Sequence, residues 1–283
     1  MNVLSLFDGI SCGQIALERC GIDYENYFAS EIDKYAIQTT QKNYPSTIQL
    51  GDITNLNTSD LPKIDIVFGG SPCQSFSNLG NGKGFDGKSG LFWEFVRVLN
   101  ELKERNPKVL FLLENVKMKK EWQNIISDAL GVKPIEINSR LVSAQNRPRL
   151  YWTNIPNITQ PKDKKLKLKD VLEKKVDNKF YLSEAAVTRI TGSKFGREFA
   201  TIDTEKTRTL TAGYYKIPSD GAYFSEGERK RKYTPKEFER LQTLPEDYTK
   251  GLSNSQRYKT IGNGWTVDVI SHIFSHIPVK VIV

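Results

Sequence analysis

Cysteine and histidine are scarce in this chain of 283 residues. It has three cysteines, Cys12, Cys20 and Cys73, and two histidines, His272 and His276. An odd number of widely spaced cysteines argues against a disulfide scaffold, and none of them has the paired spacing of a zinc site. Two histidines four residues apart, without further ligands, are more typical of packing or capping than of a metal site. We therefore predict a reduced, cytoplasmic protein without a metal ion.

Long apolar runs are also missing. No segment approaches the ~18 apolar residues of a membrane span, and the N-terminus lacks a basic leader followed by an apolar stretch. We expect neither export nor membrane insertion. The hydrophobic share of 38% is ordinary for a chain with a sizeable core. The net charge of +8 favours a polyanionic partner, although it is also compatible with solubility alone.

Short apolar runs alternate with helix-periodic stretches through the first half of the chain. The strand-sized runs are residues 3–7, 27–29, 64–68, 109–113, 134–137 and 150–152. Helical spacing occurs over residues 13–20, 32–43, 91–104 and 119–130. Such alternation is typical of a parallel sheet covered by helices, so we predict an α/β fold with a doubly wound, mostly parallel sheet.

This alternation stops near Asn154. A lysine-rich stretch with two prolines follows, and the apolar runs stay short among polar and basic residues up to the run Arg229 to Lys232. Helical spacing then returns, and its apolar face needs the first domain for burial. We predict a catalytic and cofactor-binding domain over residues 1–158 and 233–283, with a small second domain over residues 159–232.

The predicted strand ends carry residues suited to a cofactor. The first strand runs into FDGISCG, where Gly9 and Gly13 let the backbone approach a ligand, although this is not the G-x-G-x-x-G dinucleotide fingerprint. Glu31 ends the second strand, at the place where an acidic side chain can accept hydrogen bonds from ribose hydroxyls. Asp52 ends the third strand. The alternative is that both acids are helix caps or surface residues.

Cys73 follows the fourth strand at the same sheet edge. A structural cysteine would instead sit within the apolar run. Pro72 fixes its own φ and pushes Ser71 toward an extended conformation, so the thiol is held on a shaped turn. This placement suits a nucleophile.

Four motifs occur in a fixed order: GGSPCQSFS, LLENVK, SAQNRPRLYW and IGNGWTV. Together they resemble the cytosine carbon-5 DNA methyltransferase family of bacterial or phage type, with some likeness to the animal de novo type. The resemblance covers the chain outside residues 162–201. It implies an S-adenosylmethionine-dependent methyltransferase fold with a small target-recognition domain and S-adenosyl-L-methionine as cofactor. It also implies double-stranded DNA with a target cytosine as substrate, and a restriction endonuclease of the same system that does not bind the chain.

The resemblance assigns roles to single residues. Cys73 is the nucleophile that adds to cytosine carbon 6, and Glu114 contacts N3 and the exocyclic amine of the base. Arg147 and Arg149 help to form the thiolate, since a free thiol has a pKa of about 8.5. Without Cys73 nearby, Glu114 would be a helix cap and the arginines part of a solvated turn. The cofactor-binding positions are Phe7, Asp8, Gly9, Ile10, Glu31, Ile32, Asp52, Ile53, Pro72, Leu91, Asn263 and Trp265.

The chemistry also requires access to the base. A cytosine within a duplex must rotate by roughly 180° to enter a pocket, and the glycine-rich residues 74–88 are the expected lid. The TRTLTAGYY segment resembles the edge of the family's target-recognition region. Three alternatives stay open: a tRNA cytosine methyltransferase, an inactive DNA-binding relative, and a nicotinamide-dependent oxidoreductase of similar layered fold.

Overall fold

A computed structural model of the protein describes residues 1–72, 90–192, 199–217 and 222–278. Its main sheet has seven strands in the order β3-β2-β1-β4-β5-β7-β6. Neighbouring strands from β3 to β5 pair in parallel, and β7 pairs antiparallel to β5. The strands are β1 (Asn2–Leu6), β2 (Asn26–Ser30), β3 (Ile48–Gln49), β4 (Ile66–Gly70), β5 (Leu110–Val116), β6 (Ile135–Asn138) and β7 (Pro148–Thr153).

Helices connect the parallel strands. They are α1 (Cys12–Arg19), α2 (Lys34–Asn43), α3 (Leu91–Arg105) and α4 (Lys120–Leu130), followed later in the chain by α5 (Glu184–Thr191), α6 (Pro235–Leu241), α7 (Asn254–Asn263) and α8 (Val267–Phe274). The amphipathic α3 shows why they cover the sheet, because Phe95, Val98 and Leu102 recur on one face and are buried. The predicted doubly wound, mostly parallel α/β fold is confirmed.

The sheet reverses its order at β1, which lies between β2 and β4. In such folds the crevice at the carboxyl ends of the strands, beside the reversal, is the usual ligand site. The backbones of β1 and β4 approach closely there. A Cβ on Gly69 would lie 2.5 Å from the carbonyl oxygen of Leu6, its register partner. Only glycine therefore fits at this position without a shift of the strand.

The chain divides into two compact units. Unit 1 comprises residues 1–137, 148–160 and 270–283, and unit 2 comprises residues 138–147 and 161–269. Within unit 1, the core includes Leu4, Val67, Phe95 and Leu113. Burial of each such side chain stabilises the fold by about 1.5–3 kcal/mol.

Unit 2 has its own aromatic core. Tyr214 is fully buried, and its ring centroid lies 4.5 Å from that of Phe238 and 5.1 Å from that of Tyr258. A hairpin of β8 (Phe224–Glu226) and β9 (Arg229–Arg231) belongs to the same unit. Compact unit 2 includes residues 233–269, which the sequence assigns to the catalytic domain, so the functional domain limits stay a prediction. In the described part of the chain, none of the helices is long and apolar enough to cross a membrane.

Candidate cofactor and catalytic site

The turn after β1 has an unusual backbone. Phe7, Gly9 and Ser11 have φ values of 56°, 62° and 55°, in the left-handed region. This conformation costs a residue with a side chain roughly 1–2 kcal/mol, so two of the three positions require support from their surroundings. A Cβ on Gly9 would meet only the carbonyl oxygen of Phe7, at 4.0 Å. The turn therefore leaves open space at Gly9, where a ligand can approach the backbone.

Glu31 joins this turn to the end of β2. Its Oε2 accepts a hydrogen bond from the backbone N–H of Gly9 at 2.8 Å, and its Oε1 accepts from those of Ile32 at 2.7 Å and Asp33 at 2.8 Å. A carboxylate oxygen has two lone-pair sites, so Glu31 Oε2 can accept a further hydrogen bond from a hydroxyl. Ile32 is 71% exposed and offers apolar surface beside it. These groups fit a nucleoside, because the carboxylate can accept a hydrogen bond from the ribose and the isoleucine can pack against the flat base.

Asp8 serves the turn internally. One carboxylate oxygen accepts from the Tyr27 hydroxyl at 2.7 Å, and the other accepts from the Ser11 hydroxyl. Burial raises the pKa of Asp8 to about 6, and hydrogen bonds from Ser11, Ser5 and Tyr27 offset part of this rise. The Asp8 carboxylate thus supports the turn from within, a role that the sequence pattern does not reveal.

The side chains at the remaining predicted cofactor positions of unit 1 differ in how far they are buried. Asp52 caps a short 3-10 helix by accepting from the N–H of Thr54 at 2.9 Å, as the alternative interpretation of this acid expects. Ile10 and Ile53 are buried in the core, so they offer little side-chain surface to a ligand. Phe7, Pro72 and Leu91 are half-buried. Their roles stay predictions.

The end of β4 is anchored by a residue that sequence analysis missed. The side-chain amide of Asn115, which is 1% exposed, donates to the carbonyl oxygen of Ser71 at 3.3 Å and to its hydroxyl at 3.1 Å. Ser71 and Pro72 lead directly to Cys73, which lies outside the described residues, as do residues 74–88. The signal for Asn115 was a polar amide within the apolar run LFLLENV.

Glu114 and Arg149 form a shielded ion pair. Arg149 Nε lies 2.9 Å from Glu114 Oε1, and the side chains are 14% and 12% exposed. Glu114 stands two residues inside the end of β5, because this strand extends to Val116 and is longer than the sequence predicts. In the sheet it pairs with Gly70, the last residue of β4. The structure therefore brings Glu114 and Arg149 together, beside the strand that leads to Cys73.

Arg147 belongs to unit 2 and is buried. Its guanidinium donates to the carbonyl oxygens of Leu210 at 2.7 Å, Gly262 at 3.1 Å and Gly264 at 3.0 Å. Two of these carbonyls flank Asn263, a predicted cofactor residue that is exposed. The neighbouring Trp265 is half-buried. Arg147 therefore fixes the turn that carries Asn263, whereas the sequence predicts a role near the thiol.

A second support of this turn was not predicted. The Gln242 side chain is fully buried, and its amide donates to the carbonyl oxygens of Ile261 at 3.1 Å and Gly264 at 3.0 Å. Its own oxygen accepts from Thr266 and Gln145. Every hydrogen-bonding site of the amide is thus used. Nothing in the RLQTLP segment alone indicates these partners, which lie 19 to 97 positions away along the chain.

The other residues that the sequence analysis singled out have structural contacts. Cys12 and Cys20 are thiols that are not joined in a disulfide. The Cys20 thiol donates to the carbonyl oxygen of Ser271, and burial raises its pKa to about 11, so it is a poor nucleophile at neutral pH. His272 and His276 each contact a backbone carbonyl oxygen. No group of three potential metal ligands occurs within the part of the chain that the structure describes.

Comparison with known proteins gives consistent matches. The sequence pattern of the C-5 cytosine-specific DNA methylase family matches residues 1–278. The Type II methyltransferase M1.ScrFI of Lactococcus lactis subsp. cremoris is 34% identical over 303 positions, which cover 96% of this chain and 76% of that protein. The Type II methyltransferase M.NlaX of Neisseria lactamica is 33% identical over 299 positions, which cover 96% and 94%.

Solved structures share the fold. The Entamoeba histolytica methyltransferase EhMeth superposes with a TM-score of 0.78 at 18% identity, over 98% of this chain and 97% of that one. The S. pombe Dnmt2 methyltransferase gives a TM-score of 0.75 at 19% identity, over 97% of each chain. At these identities the likeness shows the shared fold alone.

Proposed function

Because the chain belongs to the C-5 cytosine-specific DNA methylase family, we propose that it transfers a methyl group from S-adenosyl-L-methionine to carbon 5 of cytosine in double-stranded DNA. The observation that carries the proposal is the Glu114–Arg149 ion pair at the strand pair that leads to Cys73. A carboxyl group held by a guanidinium, on the strand next to the one that leads to a cysteine, suits an attack on a pyrimidine ring, which needs a nucleophile and a group that handles the ring nitrogen.

The cofactor supplies an electrophilic methyl group on a sulfonium when it is bound. Gly9 leaves room beside the turn, and Glu31 would accept a hydrogen bond from the ribose of the cofactor. Ile32, whose side chain is exposed, would pack against the adenine. Asn263 and Trp265, on the turn held by Arg147 in unit 2, stay predicted cofactor residues.

Cytosine carbon 5 is a weak nucleophile, so the ring must be activated first. The Cys73 thiolate adds to carbon 6, while the Glu114 carboxylate relays a proton from water to N3. The resulting enamine takes the methyl group at carbon 5. A base then removes the proton from carbon 5, for which water is our candidate. The bond between carbon 6 and sulfur breaks to release the thiolate, and N3 returns its proton to water through Glu114.

Arg149 has two tasks in this scheme. It holds the Glu114 carboxyl toward the base, and its charge favours the thiolate over the thiol. Pro72 and Asn115 define the start of the turn that carries Cys73. The target nucleotide is rotated out of the duplex, and residues 74–88 close over it. Residues 159–232, most of which belong to unit 2, supply the target-recognition contacts.

The biological setting is proposed from the relatives. Several are named Type II methyltransferases, which favours a restriction-modification system with an endonuclease that acts on the same site without binding this chain. The methyltransferase of Bacillus phage SPR, 33% identical over 65% of this chain, is named an orphan. Expression with and without a candidate endonuclease gene distinguishes the two settings.

Bisulfite sequencing of plasmid DNA from cells that express the chain tests the proposed activity. We expect protected cytosines at one recurrent sequence, and their loss in Cys73→Ser. Cys20→Ser is the matched control, because this thiol is engaged with Ser271 and stays outside the scheme. The same assay on tRNA from these cells addresses the main alternative: protection in tRNA alone would contradict the DNA substrate, and protection in neither would favour an inactive DNA-binding relative.

A further inference from the structure

Hydrogen bonds to one carboxylate, that of Asp8, stabilise the turn after β1. Asp8 lies between the left-handed residues Phe7 and Gly9, and its side chain accepts hydrogen bonds from Tyr27 and Ser11. Its backbone is tied as well, since its N–H donates to the carbonyl oxygen of Ser30 at 3.1 Å. The Ser11 N–H returns to the carbonyl oxygen of Asp8 at 3.2 Å. Asp8 is therefore the centre of the bonds that stabilise an otherwise costly backbone.

Tyr27 reaches Asp8 from the neighbouring strand. It lies in β2, is 2% exposed, and packs against Phe68 with 6.1 Å between ring centroids. Gly13 makes this position possible, because a Cβ there would lie 2.4 Å from the Phe68 ring and 3.0 Å from the Tyr27 hydroxyl. Burial raises the pKa of Tyr27 well above 10, with the charge of Asp8 adding to the rise. The hydroxyl is thus a constant donor at neutral pH.

We propose that Tyr27 is a positioning residue for the cofactor: its hydroxyl, acting through the Asp8 carboxylate, holds the Phe7–Ser11 turn in the conformation that receives S-adenosyl-L-methionine. The inference rests on the proposed function. It assigns the Asp8 side chain to the support of the turn and leaves direct contact with the cofactor to the backbone at Gly9 and to Glu31. Tyr27 touches neither the cofactor nor the reacting atoms in this scheme.

The expected loss of affinity follows from the fraction of molecules in which the Phe7–Ser11 turn has the conformation that binds the cofactor. In Tyr27→Phe, the buried carboxylate loses one of its two side-chain donors outside β1, while the charge of Glu31 still opposes its ionisation. The turn then spends part of its time outside the left-handed conformation. The apparent affinity for a ligand falls in proportion to the competent fraction. The lost hydrogen bond to a charged group suffices for a weakening of about 10-fold or more.

Tyr24 supplies a matched control. Its ring centroid lies 5.6 Å from that of Tyr27, and its hydroxyl donates to the side-chain oxygen of Gln14 at 2.8 Å. Tyr24→Phe therefore removes one tyrosine hydroxyl from the same region without touching Asp8. If Tyr27 acts only through packing, Tyr27→Phe should behave like Tyr24→Phe, because both variants keep the ring.

The test is calorimetric titration of the full chain with S-adenosyl-L-methionine. We expect Tyr27→Phe to weaken binding about 10-fold and Tyr24→Phe to stay within about twofold of the wild type. A second readout needs no cofactor: the titration of the Asp8 carboxyl, followed by carbon-13 NMR, should move to higher pH in Tyr27→Phe only, since the carboxylate loses a donor. Ser11→Ala removes the other donor and should weaken binding similarly, should Tyr27→Phe fail to fold.

The outcomes separate this inference from the proposed function. Wild-type protein that binds no S-adenosyl-L-methionine would contradict the proposed cofactor. Wild-type binding with unchanged affinity and an unchanged Asp8 titration in Tyr27→Phe would overturn the positioning role and leave the proposed function standing. Equal weakening in Tyr24→Phe and Tyr27→Phe would also overturn it, because the effect would then be general to the region.

Discussion

Arg149 Nε contacts Glu114 Oε1 at 2.9 Å in a setting where both side chains are less than 15% exposed. The pair forms across antiparallel strands, with Arg149 opposite Val116 and Glu114 opposite Tyr151. Loss of one partner leaves the other charge largely shielded from water, which costs more than the pair contributes as a whole. This ion pair is therefore sensitive to substitution both in folding and in the proposed chemistry.

Glu114→Gln keeps the shape of the side chain but removes its charge and its capacity to relay a proton. We expect methyl transfer to fall at least about 100-fold, since positioned acids and bases contribute about 10²–10⁴-fold. The free energy of unfolding should fall by about 1–3 kcal/mol. Single-turnover transfer of a radiolabelled methyl group and urea unfolding measure the two effects.

Glu136→Gln is the control for this change. Glu136 pairs with Lys117 at 3.0 Å, but these side chains are 43% and 60% exposed, and such surface pairs contribute about 0–1 kcal/mol. Its turnover should match that of the wild type. A wild-type rate in Glu114→Gln would remove the carboxyl group from the proposed mechanism.

Asp8 should make stability depend on pH. Its pKa is raised by burial to about 6 in the folded protein, against 3.8 for an unperturbed aspartate. A raised folded-state pKa means that the folded state binds the proton more tightly, so the contribution to stability is full below about pH 4 and is lost as the pH rises through about 6. The difference in unfolding free energy between the wild type and Asp8→Asn should therefore change by about 1–3 kcal/mol across this window.

Urea unfolding of both proteins at several pH values between about 4 and 7 measures this difference, and other titrating groups largely cancel in it. The wild type should lose stability relative to Asp8→Asn as the pH rises. Parallel stability curves would show that the Asp8 carboxyl titrates like an exposed one.

Arg147→Met distinguishes a structural role from an electrostatic one. The substitution leaves the carbonyl oxygens of Leu210 and Gly262 without their guanidinium donor, whereas that of Gly264 keeps its hydrogen bond from Gln242. We expect the free energy of unfolding to fall by about 3–5 kcal/mol, because unsatisfied buried groups cost about 1–3 kcal/mol each. Arg140→Met, at an exposed position, should have little effect. Slower turnover with unchanged stability would instead support the role near the thiol that the sequence predicts.

The sequence was sufficient for the architecture because its signals are local. Alternation of apolar runs and helical spacing predicts β1, β2, β4 and β5 and helices α1 to α4 to within a few residues. The order of strand ends also places Glu31 next to the glycine turn, where its carboxylate accepts from Gly9. These features depend on periodicity and on the known geometry of parallel sheets.

The supports of the site could not be predicted, because they join residues far apart in sequence. The Tyr27–Asp8 bond spans 19 positions, and the bonds from Arg147 to the Gly262–Gly264 turn span 115 and 117. A sequence motif gives the type of a residue, whereas the role of that residue depends on where its side chain points. Asp8 as a cofactor residue and Arg147 as a catalytic one therefore stay predictions, to which the structure adds their hydrogen bonds within the protein.

The basic run at the end of the predicted recognition region shows the same limitation. Arg231 is 1% exposed, and its guanidinium makes two hydrogen bonds to the Glu237 carboxylate, at 2.8 and 2.9 Å. Lys232 donates to the carbonyl oxygens of Tyr214 and Tyr215. Arg229 also donates to the side chain of Asn178, and Lys230 donates to that of Ser225, so every residue of the run has a hydrogen bond inside unit 2. Exposed lysines earlier in the unit are better placed to meet a polyanion.

Those lysines give the last prediction. Lys162, Lys165 and Lys169 are exposed, and each phosphate contact contributes about 0.9 to the slope of the logarithm of DNA affinity against that of salt concentration. Replacing all three with glutamine should weaken binding to any duplex and flatten the slope by about 2 to 3. The same number of changes at three exposed lysines of unit 1, Lys42, Lys63 and Lys108, controls for net charge. Equal slopes in the two triple variants would show that residues 162–169 are a solvated surface, and that general attraction accounts for DNA affinity.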